Sequence, residues 1–260
     1  QTCALPIVKK CKLAIVGATG LVGQKILKVL WEEGLLEQLE VVLIASEKNT
    51  GRRYFFKGQE YNIISLSEKC LKFGFDVVIF SAGEDVSKNW ARQFIEAGAV
   101  VIDNTNAFRK QKDIPLVIPE VNGGEISMEN KIISNPNCST IQLAVVIDKL
   151  INLSKINKVV VSTYQSVSGA GKLALIDYQN ESNFYFQKGI KGNIIPQIGA
   201  ISENGFSLEE NKIMFELNKI LKSNINIVAT AVRVPVPYCH GESVYVEFEG
   251  YAIAEYFKSI

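Results

Sequence analysis

No stretch of this chain is apolar for long enough to cross a bilayer: its longest apolar runs, such as 77–80 and 159–161, fall far short of the roughly 20 residues a spanning helix needs. The N-terminus carries no charged lead, apolar block and small-residue cleavage site, so no secretory signal is read there. Its opening, Gln1 to Ile7, lacks an initiating Met and any pattern, and residues 1–8 are set aside as extraneous to the fold. Excess charge is missing too: 28 basic residues nearly cancel 27 acidic ones, for a formal net charge of +1. That removes the electrostatic case for nucleic acid or a membrane surface as the main partner. Cysteine is sparse and unpaired, at positions 3, 11, 70, 138 and 239, with no CxxC spacing. An odd, scattered set argues against a disulfide framework or a zinc knuckle and for a reducing, cytoplasmic home. Histidine occurs once, and repeats, low-complexity tracts and linker-like segments are absent.

What remains is ordinary for a soluble enzyme. The composition is 47% hydrophobic and 21% charged, and 260 residues suffice for one large domain or two modest ones. A strand is predicted at 12–16 and a helix at 21–33, where Leu21, Val22, Ile26, Val29 and Leu30 recur at helical spacing. Further strands fall at 41–45, 76–81 and 100–103, with a helix at 86–97 that stops at Gly98. Alternating strands and helices predict a parallel sheet wrapped by helices, the α/β plan of nucleotide-binding folds. The second half reads differently. Helices are predicted at 139–150 and 207–221, the latter with Glu209 and Glu210 in its first turn, where the helix dipole favours them. Strands follow at 158–165, 225–234 and 243–248. The change of pattern places a domain boundary near Ser134, giving a dinucleotide-binding domain over 1–133 and a second domain over 134–260.

The first strand runs straight into Gly17-Ala18-Thr19-Gly20-Leu21-Val22-Gly23, which opens the first helix. Gly17 permits a tight turn, Gly20 lets backbone approach a pyrophosphate at the helix N-terminus, and Gly23 lets helix and strand pack closely. The spacing is GxxGxxG, and a strand-to-helix turn without any ligand has the same glycines. At the end of the second strand, the hydroxyls of Ser46 and Thr50 and the cation of Lys48 suit a 2′-phosphate, whereas Glu47 suits a free ribose hydroxyl. NADP is the favoured cofactor.

Ser134-Asn135-Pro136-Asn137-Cys138-Ser139-Thr140 makes a turn that puts Cys138 at the start of an apolar helix. A helix N-terminus stabilises a thiolate and so makes the sulfur nucleophilic. Cys3, Cys11, Cys70 and Cys239 read as small packing residues. His240, in a turn bounded by Pro237 and Gly241, is the only imidazole available to shuttle a proton for that thiol. The pair Cys239–His240 without further ligands makes a poor zinc site, and no metal is expected. Gln165 ends a strand with a carboxamide able to orient a carbonyl, and Ser168 and Gly169 sit in a loop able to approach a flat ring.

Taken in order, GATGLVG at 17–23, NTNAFRKQKDIPLVIPEVN at 104–122, SNPNCST at 134–140, QSVSGAG at 165–171, the helix at 207–221, RVPV at 233–236 and HGE at 240–242 resemble the aspartate-semialdehyde dehydrogenase family, from about Lys12 onward. The resemblance implies a Rossmann-type dinucleotide-binding domain followed by an α+β catalytic and dimerisation domain. It implies Cys138 as the nucleophile forming a thioacyl enzyme, His240 as general acid–base, and Gln165 as the group placing the carbonyl. Arg233 would grip the substrate α-carboxylate, Glu209 would meet the α-amino group, and Arg109, Asn137 and Lys212 would hold phosphate. Gly17, Thr19, Gly20, Leu21, Val22 and Gly23, with Ser46, Lys48, Thr50, Ser81, Ala82, Gly83, Ser168 and Gly169, would contact NADP. The implied reaction is NADPH-dependent reductive dephosphorylation of L-4-aspartyl phosphate, a step toward diaminopimelate, lysine, threonine and methionine, in a homodimer or homotetramer.

Two departures stand out. The family's chain continues past Ile260 into a final helix carrying an asparagine near the nicotinamide, so this chain is expected to be an incomplete, weakly active or inactive piece. Glu84 also stands where the family tends to have glycine. The competing readings are N-acetyl-γ-glutamyl-phosphate reductase, whose N-acylated substrate has no use for Glu209, a glyceraldehyde-phosphate dehydrogenase, and a non-catalytic nucleotide-binding protein with an unreactive Cys138.

Overall fold

The computed structural model describes residues 10–250. The reading of Gln1 to Ile7, and with it Cys3, lies outside the described residues. Two compact units divide the chain: the described residues up to Pro115 with Met128–Ser134, and Leu116–Ser127 with the described residues from Asn135 onward.

The first unit is built on one sheet. Its elements are β1 (Cys11–Val16), α1 (Leu21–Glu32), β2 (Leu39–Ala45), β3 (Arg53–Phe56), β4 (Gln59–Ser65), α2 (Glu68–Leu71), β5 (Val77–Phe80), α3 (Glu84–Glu96), β6 (Val100–Asp103) and β7 (Ile132–Ser134). The strand order is β3-β4-β2-β1-β5-β6-β7, and only the β3–β4 pair is antiparallel. The central strands are apolar on both faces, as a covered parallel sheet requires. Alternate residues go to opposite sides. Ala14, Val16 and Ile44 join Phe80 and Phe94 in one cluster, while Leu13, Ile15 and Leu43 join Leu27 and Ile63 in the other. β1 is flanked by β2 on one side and β5 on the other, so the chain winds outward from it in both directions. Ligands bind such sheets at the carboxyl ends of the strands flanking that reversal.

The β3–β4 hairpin went unread in the sequence. Its turn is Lys57-Gly58, both at positive φ (50° and 80°), the two-residue geometry that matches the twist of paired strands.

The second unit comprises α4 (Pro119–Asn122), α5 (Cys138–Ile151), β8 (Ile156–Gln165), α6 (Lys172–Asn180), α7 (Leu208–Ile220), β9 (Asn226–Arg233) and β10 (His240–Phe248). Its sheet has the order β10-β8-β9, with β9 parallel and β10 antiparallel to β8. Leu143 and Ile147 of α5 and Ile213, Leu217 and Ile220 of α7 pack with Val159, Val161 and Ala229 of the sheet. Ser207 and Glu210 form a reciprocal capping box at the start of α7, and Glu210 also accepts the Ala231 N–H at 2.9 Å. Its carboxylate therefore covers backbone that the edge strand β9 leaves open.

Three sequence expectations change here. The segment Leu116–Ser127 goes with the second unit, because Leu116 and Ile118 bury their side chains in the cluster around Leu143 and Ile147. His240 is the first residue of β10, paired to β8, where the sequence predicted a turn. Cys239 is exposed at φ 70°, so it is a turn residue and not a packing one. Cys70 is buried with its thiol on the Ser65 carbonyl. Among the described residues no helix is long and apolar enough to cross a membrane.

Candidate active site

The second unit gathers its chemistry at one end of the three-stranded sheet. The register pairs Gln165 of β8 with Arg233 of β9 on one side and with His240 of β10 on the other. A guanidinium, a carboxamide and an imidazole, up to 75 residues apart (240 − 165), thus occupy one row across three strands. Cys138 is the first residue of α5, exposed, with its Sγ 3.2 Å from His240 Nε2.

Asn137 builds the thiol's platform. Its Oδ1 accepts the Ser139 and Thr140 N–H groups at 2.9 and 3.4 Å, a side-chain cap on α5. Its Nδ2 donates to Glu209 Oε1 at 2.8 Å, and its backbone N–H donates to Glu216 Oε2 at 2.6 Å. One helix, α7, therefore holds the residue before Cys138 by two carboxylates. Glu209 also accepts from Gln165 Nε2 at 3.2 Å and from Lys212 Nζ at 3.2 Å. Burial pushes its carboxyl pKa up, but the Lys212 ammonium and the Asn137 and Gln165 bonds outweigh that and hold it below the ordinary value. The pair Glu209–Lys212 is consequently a buried carboxylate with its partner, not a solvated face.

His240 is held from the other side. Its Nδ1 accepts the Ser166 backbone N–H at 2.9 Å, and the Ser166 hydroxyl lies 3.2 Å away, itself 3.0 Å from Ser168 Oγ. Burial lowers the imidazole pKa, and the Arg233 cation lowers it further against the pull of the Cys239 carbonyl and Glu209. Arg233 donates from Nη1 to the Ser166 carbonyl at 2.7 Å. Gly169 lies over this group. A Cβ there would stand 2.9 Å from Arg233 Nη1 and 3.2 Å from His240 Cε1, so a side chain would press on both.

The first unit carries the glycine turn. A groove of about 340 Å³ is lined by Gly17, Thr19, Gly20, Ala45, Ser46 and Ser81, among others including Ala82. The residues fit a dinucleotide. A Cβ on Gly17 would meet the Ser81 carbonyl oxygen at 2.6 Å, and one on Gly23 would meet the Gly17 oxygen at 2.4 Å. Gly20 is the N-cap of α1 and no side chain caps that helix, so the N–H groups from Leu21 and Val22 onward face the turn without a side-chain acceptor. Gly83 lines a smaller adjoining cavity of about 220 Å³ with Ser81, Glu84 and Asn104. Lys48 and Thr50 lie on an exposed turn and do not line the groove. Asn49, unread in the sequence, bonds Thr19 and Ser46 instead. Arg109 is buried in this unit, with Nη2 on the Asn104 carbonyl at 3.3 Å. Ser168 and Gly169 belong to the second unit, in the turn Val167–Ala170.

Two residues of the second unit escaped sequence reading. Glu216 is 2% exposed, and its only signal was an acidic residue on the apolar stripe of α7, two turns after Glu209. Ser166 acts through its backbone N–H, which no side-chain pattern announces.

Comparison with known proteins agrees with this geometry. Residues 12–129 match the family described as "Semialdehyde dehydrogenase, NAD binding domain", and residues 143–259 match "Semialdehyde dehydrogenase, dimerisation domain". The chain is 44% identical over 252 residues to an aspartate-semialdehyde dehydrogenase of Aquifex aeolicus, covering 92% of this chain and 74% of that protein. It is 39% identical over 255 residues to the Bacillus subtilis enzyme of the same name, covering 91% and 73%. The crystal structure of aspartate semialdehyde dehydrogenase II from Vibrio cholerae, complexed with ASA, superposes with a TM-score of 0.90 at 39% identity over 97% of this chain and 78% of that one.

Proposed function

This chain belongs to the aspartate-semialdehyde dehydrogenase family, and from that premise we propose that it carries out the NADPH-dependent reductive dephosphorylation of L-4-aspartyl phosphate to L-aspartate 4-semialdehyde. The observation that carries the reading is the contact of Cys138 Sγ with His240 Nε2 at 3.2 Å, beside the row of Arg233, Gln165 and His240.

Cys138 supplies the nucleophile. Its sulfur attacks the acyl carbon, the bond to phosphate breaks, and a thioester to Cys138 remains. When bound, the nicotinamide supplies the hydride that takes this thioester to the aldehyde level. The carbon–sulfur bond then breaks and frees the thiol. His240 faces the sulfur and is assigned the general acid–base role at the later proton steps. Arg233 is assigned the substrate α-carboxylate, a planar bidentate partner for its guanidinium. Glu209, kept ionised by Lys212 and two amide donors, is assigned the α-ammonium group, while Gln165 orients the carbonyl. Asn137 and Lys212 of the second unit are assigned the phosphate, and Arg109 belongs to the first unit. For Asn137 only part of the carboxamide remains for that task, since its oxygen caps α5 and its nitrogen already serves Glu209. The glycine turn at 17–23, with Ser46, Ser81 and Ala82, is assigned to NADP, and its groove supports that reading.

A homodimer is proposed as the working unit. The match to a dimerisation domain supports it, as does the sheet face turned away from α5 and α7, where Tyr164 and Tyr245 stand exposed beside Val160 and Val228. A reduced Cys138 is required for turnover, which favours the cytoplasm.

The test, on the full-length protein, is phosphate-dependent reduction of NADP⁺ with aspartate semialdehyde, beside a Cys138→Ala control. Activity lost in the control is expected. Turnover of N-acetylglutamate semialdehyde alone would assign the protein to the related reductase, and turnover of neither aldehyde would leave a nucleotide-binding protein.

A further inference from the structure

The two ring nitrogens of His240 have different neighbours, and the Ser166 backbone N–H favours one proton position over the other. Nδ1 lies 2.9 Å from the backbone nitrogen of Ser166. A peptide N–H only donates, so Nδ1 must accept, and a neutral imidazole that accepts at one nitrogen carries its hydrogen on the other. That other nitrogen, Nε2, is the one 3.2 Å from Cys138 Sγ. We propose that Ser166 sets the tautomer of His240, so that the resting pair is a Cys138 thiolate receiving a hydrogen bond from Nε2–H of a neutral imidazole. The inference deepens the role of His240 given above and rests on that reading for the reactivity of Cys138.

The alternative is an imidazolium–thiolate ion pair, with hydrogens on both ring nitrogens. Nδ1–H would then point at the Ser166 N–H across 2.9 Å, donor against donor. Ser166 cannot easily withdraw. Arg233 holds its carbonyl at 2.7 Å, and the next two residues are tied by Val167 N–H to the Val236 carbonyl at 2.9 Å and Ser168 N–H to the Pro237 carbonyl at 3.1 Å. Against this stand two acceptors near the ring: the Cys239 carbonyl, and the Ser166 hydroxyl, which lies 3.2 Å from Nδ1 and is shared with Ser168 Oγ.

The charged groups around the ring are Cys138 on α5, Arg233 on β9 and Glu209 on α7, with Glu242 two residues along β10. Burial and the Arg233 cation disfavour a charged ring, in the same direction as the geometry. A thiolate is a far better acceptor from Nε2–H than a neutral thiol is. In this arrangement the thiol's proton leaves to solvent, and the imidazole stabilises the anion without taking that proton. Acid–base transfer through Nε2 at a later step requires Nδ1 to gain a proton and give up the Ser166 N–H.

The chain has a single histidine, which makes the test unambiguous. Nitrogen NMR on untagged protein labelled at the histidine ring shows two ring resonances. The expected result at neutral pH is a directly bonded hydrogen on Nε2 and an unprotonated, hydrogen-bonded Nδ1. The same pattern is expected in Ser166→Ala, which keeps the backbone N–H and removes the hydroxyl. A hydrogen on Nδ1 alone, or on both nitrogens, would overturn the proposal. A second readout is the pH profile of Cys138 alkylation by iodoacetamide. His240→Ala, which has no donor, is expected to move the midpoint up by about one pH unit, a tenfold loss of thiolate at a given pH below it. His240→Gln, whose amide can still donate, is expected to recover part of that shift. A glutamine variant no better than alanine would count against donation as the ring's role. Neither experiment measures turnover, so a failed substrate assay and a failed tautomer assignment are told apart.

Discussion

Replacing Gly23 with alanine sets two effects of opposite sign against each other. Gly23 lies inside α1 at an ordinary negative φ, and glycine in a helix interior is worse than alanine by about 1 kcal/mol, so helix propensity alone favours the change. The added Cβ, however, would lie 2.4 Å from the Gly17 oxygen, 2.7 Å from Ala18 Cα and 2.9 Å from the Gly17 carbonyl carbon. All three atoms are backbone, so no flexible side chain can swing aside. Overpacking of this kind costs about 1–3 kcal/mol, and here only the Gly17–Ala18 turn or the helix itself can yield. The clash outweighs propensity, and the variant is expected to lose on the order of 1–2 kcal/mol of stability by urea unfolding. The displaced turn also lines the groove, so NADP binding by calorimetry is expected to weaken by about tenfold, which corresponds to about 1.4 kcal/mol. Gly124→Ala is the control, because its Cβ meets nothing within 4 Å and its φ is not positive. A Gly23→Ala protein that is more stable than its parent and binds NADP unchanged would refute the close approach of helix and turn.

Further outcomes follow from the second unit. Glu216→Ala leaves the buried Asn137 N–H without this acceptor and is expected to cost about 1–3 kcal/mol and to slow alkylation of Cys138. Glu216→Gln, whose amide oxygen can still accept, should lose less of both, and equal losses would remove Glu216 from the positioning of the thiol. Ser207→Ala breaks the capping box and is expected to cost about 1 kcal/mol in urea unfolding with Cys138 reactivity unchanged. Glu209 has a lowered folded-state pKa, so the stability it adds is present above its unfolded pKa and is lost as pH falls through the folded value. The stability gap between the parent and Glu209→Gln should therefore be widest near neutral pH and close in acid. A gap that stays constant or widens in acid would contradict the Lys212 pairing.

Much of the fold was legible because its signals are local. The strand at 12–16, the glycine turn after it and the helix beyond are set by neighbours a few residues apart, and the structure places β1 and α1 within a residue of those bounds. Cys138 at a helix start was legible for the same reason, since Pro136 and Asn137 write the turn and the cap into adjacent positions. The features that went unread lack such neighbours. Pro237 and Gly241 read as the bounds of a turn, yet His240 begins a strand, because β8 supplies backbone partners that no local pattern reveals. Leu116 and Ile118 look like first-domain residues in sequence and are claimed by the second unit because Leu143 and Ile147 cover them. Lys48 and Thr50 have the right chemistry for a phosphate but sit outside the groove.

By itself, then, the sequence determined the alternation of elements, the glycine cradle, the cysteine at a capped helix start and the set of side chains from which a site can be built. Tertiary structure decided how they meet. The contact of Cys138 with His240 spans 102 residues, and that of Asn137 with Glu216 spans 79. Neither distance follows from propensity or spacing. Both depend on strand register, where a slip of one residue sends every side chain to the opposite face, and on the docking of α7 against α5 through the shared apolar core. A carboxylate can grip a backbone N–H, and a backbone N–H can choose a histidine's tautomer, only once those long-range contacts have brought the groups within hydrogen-bond reach.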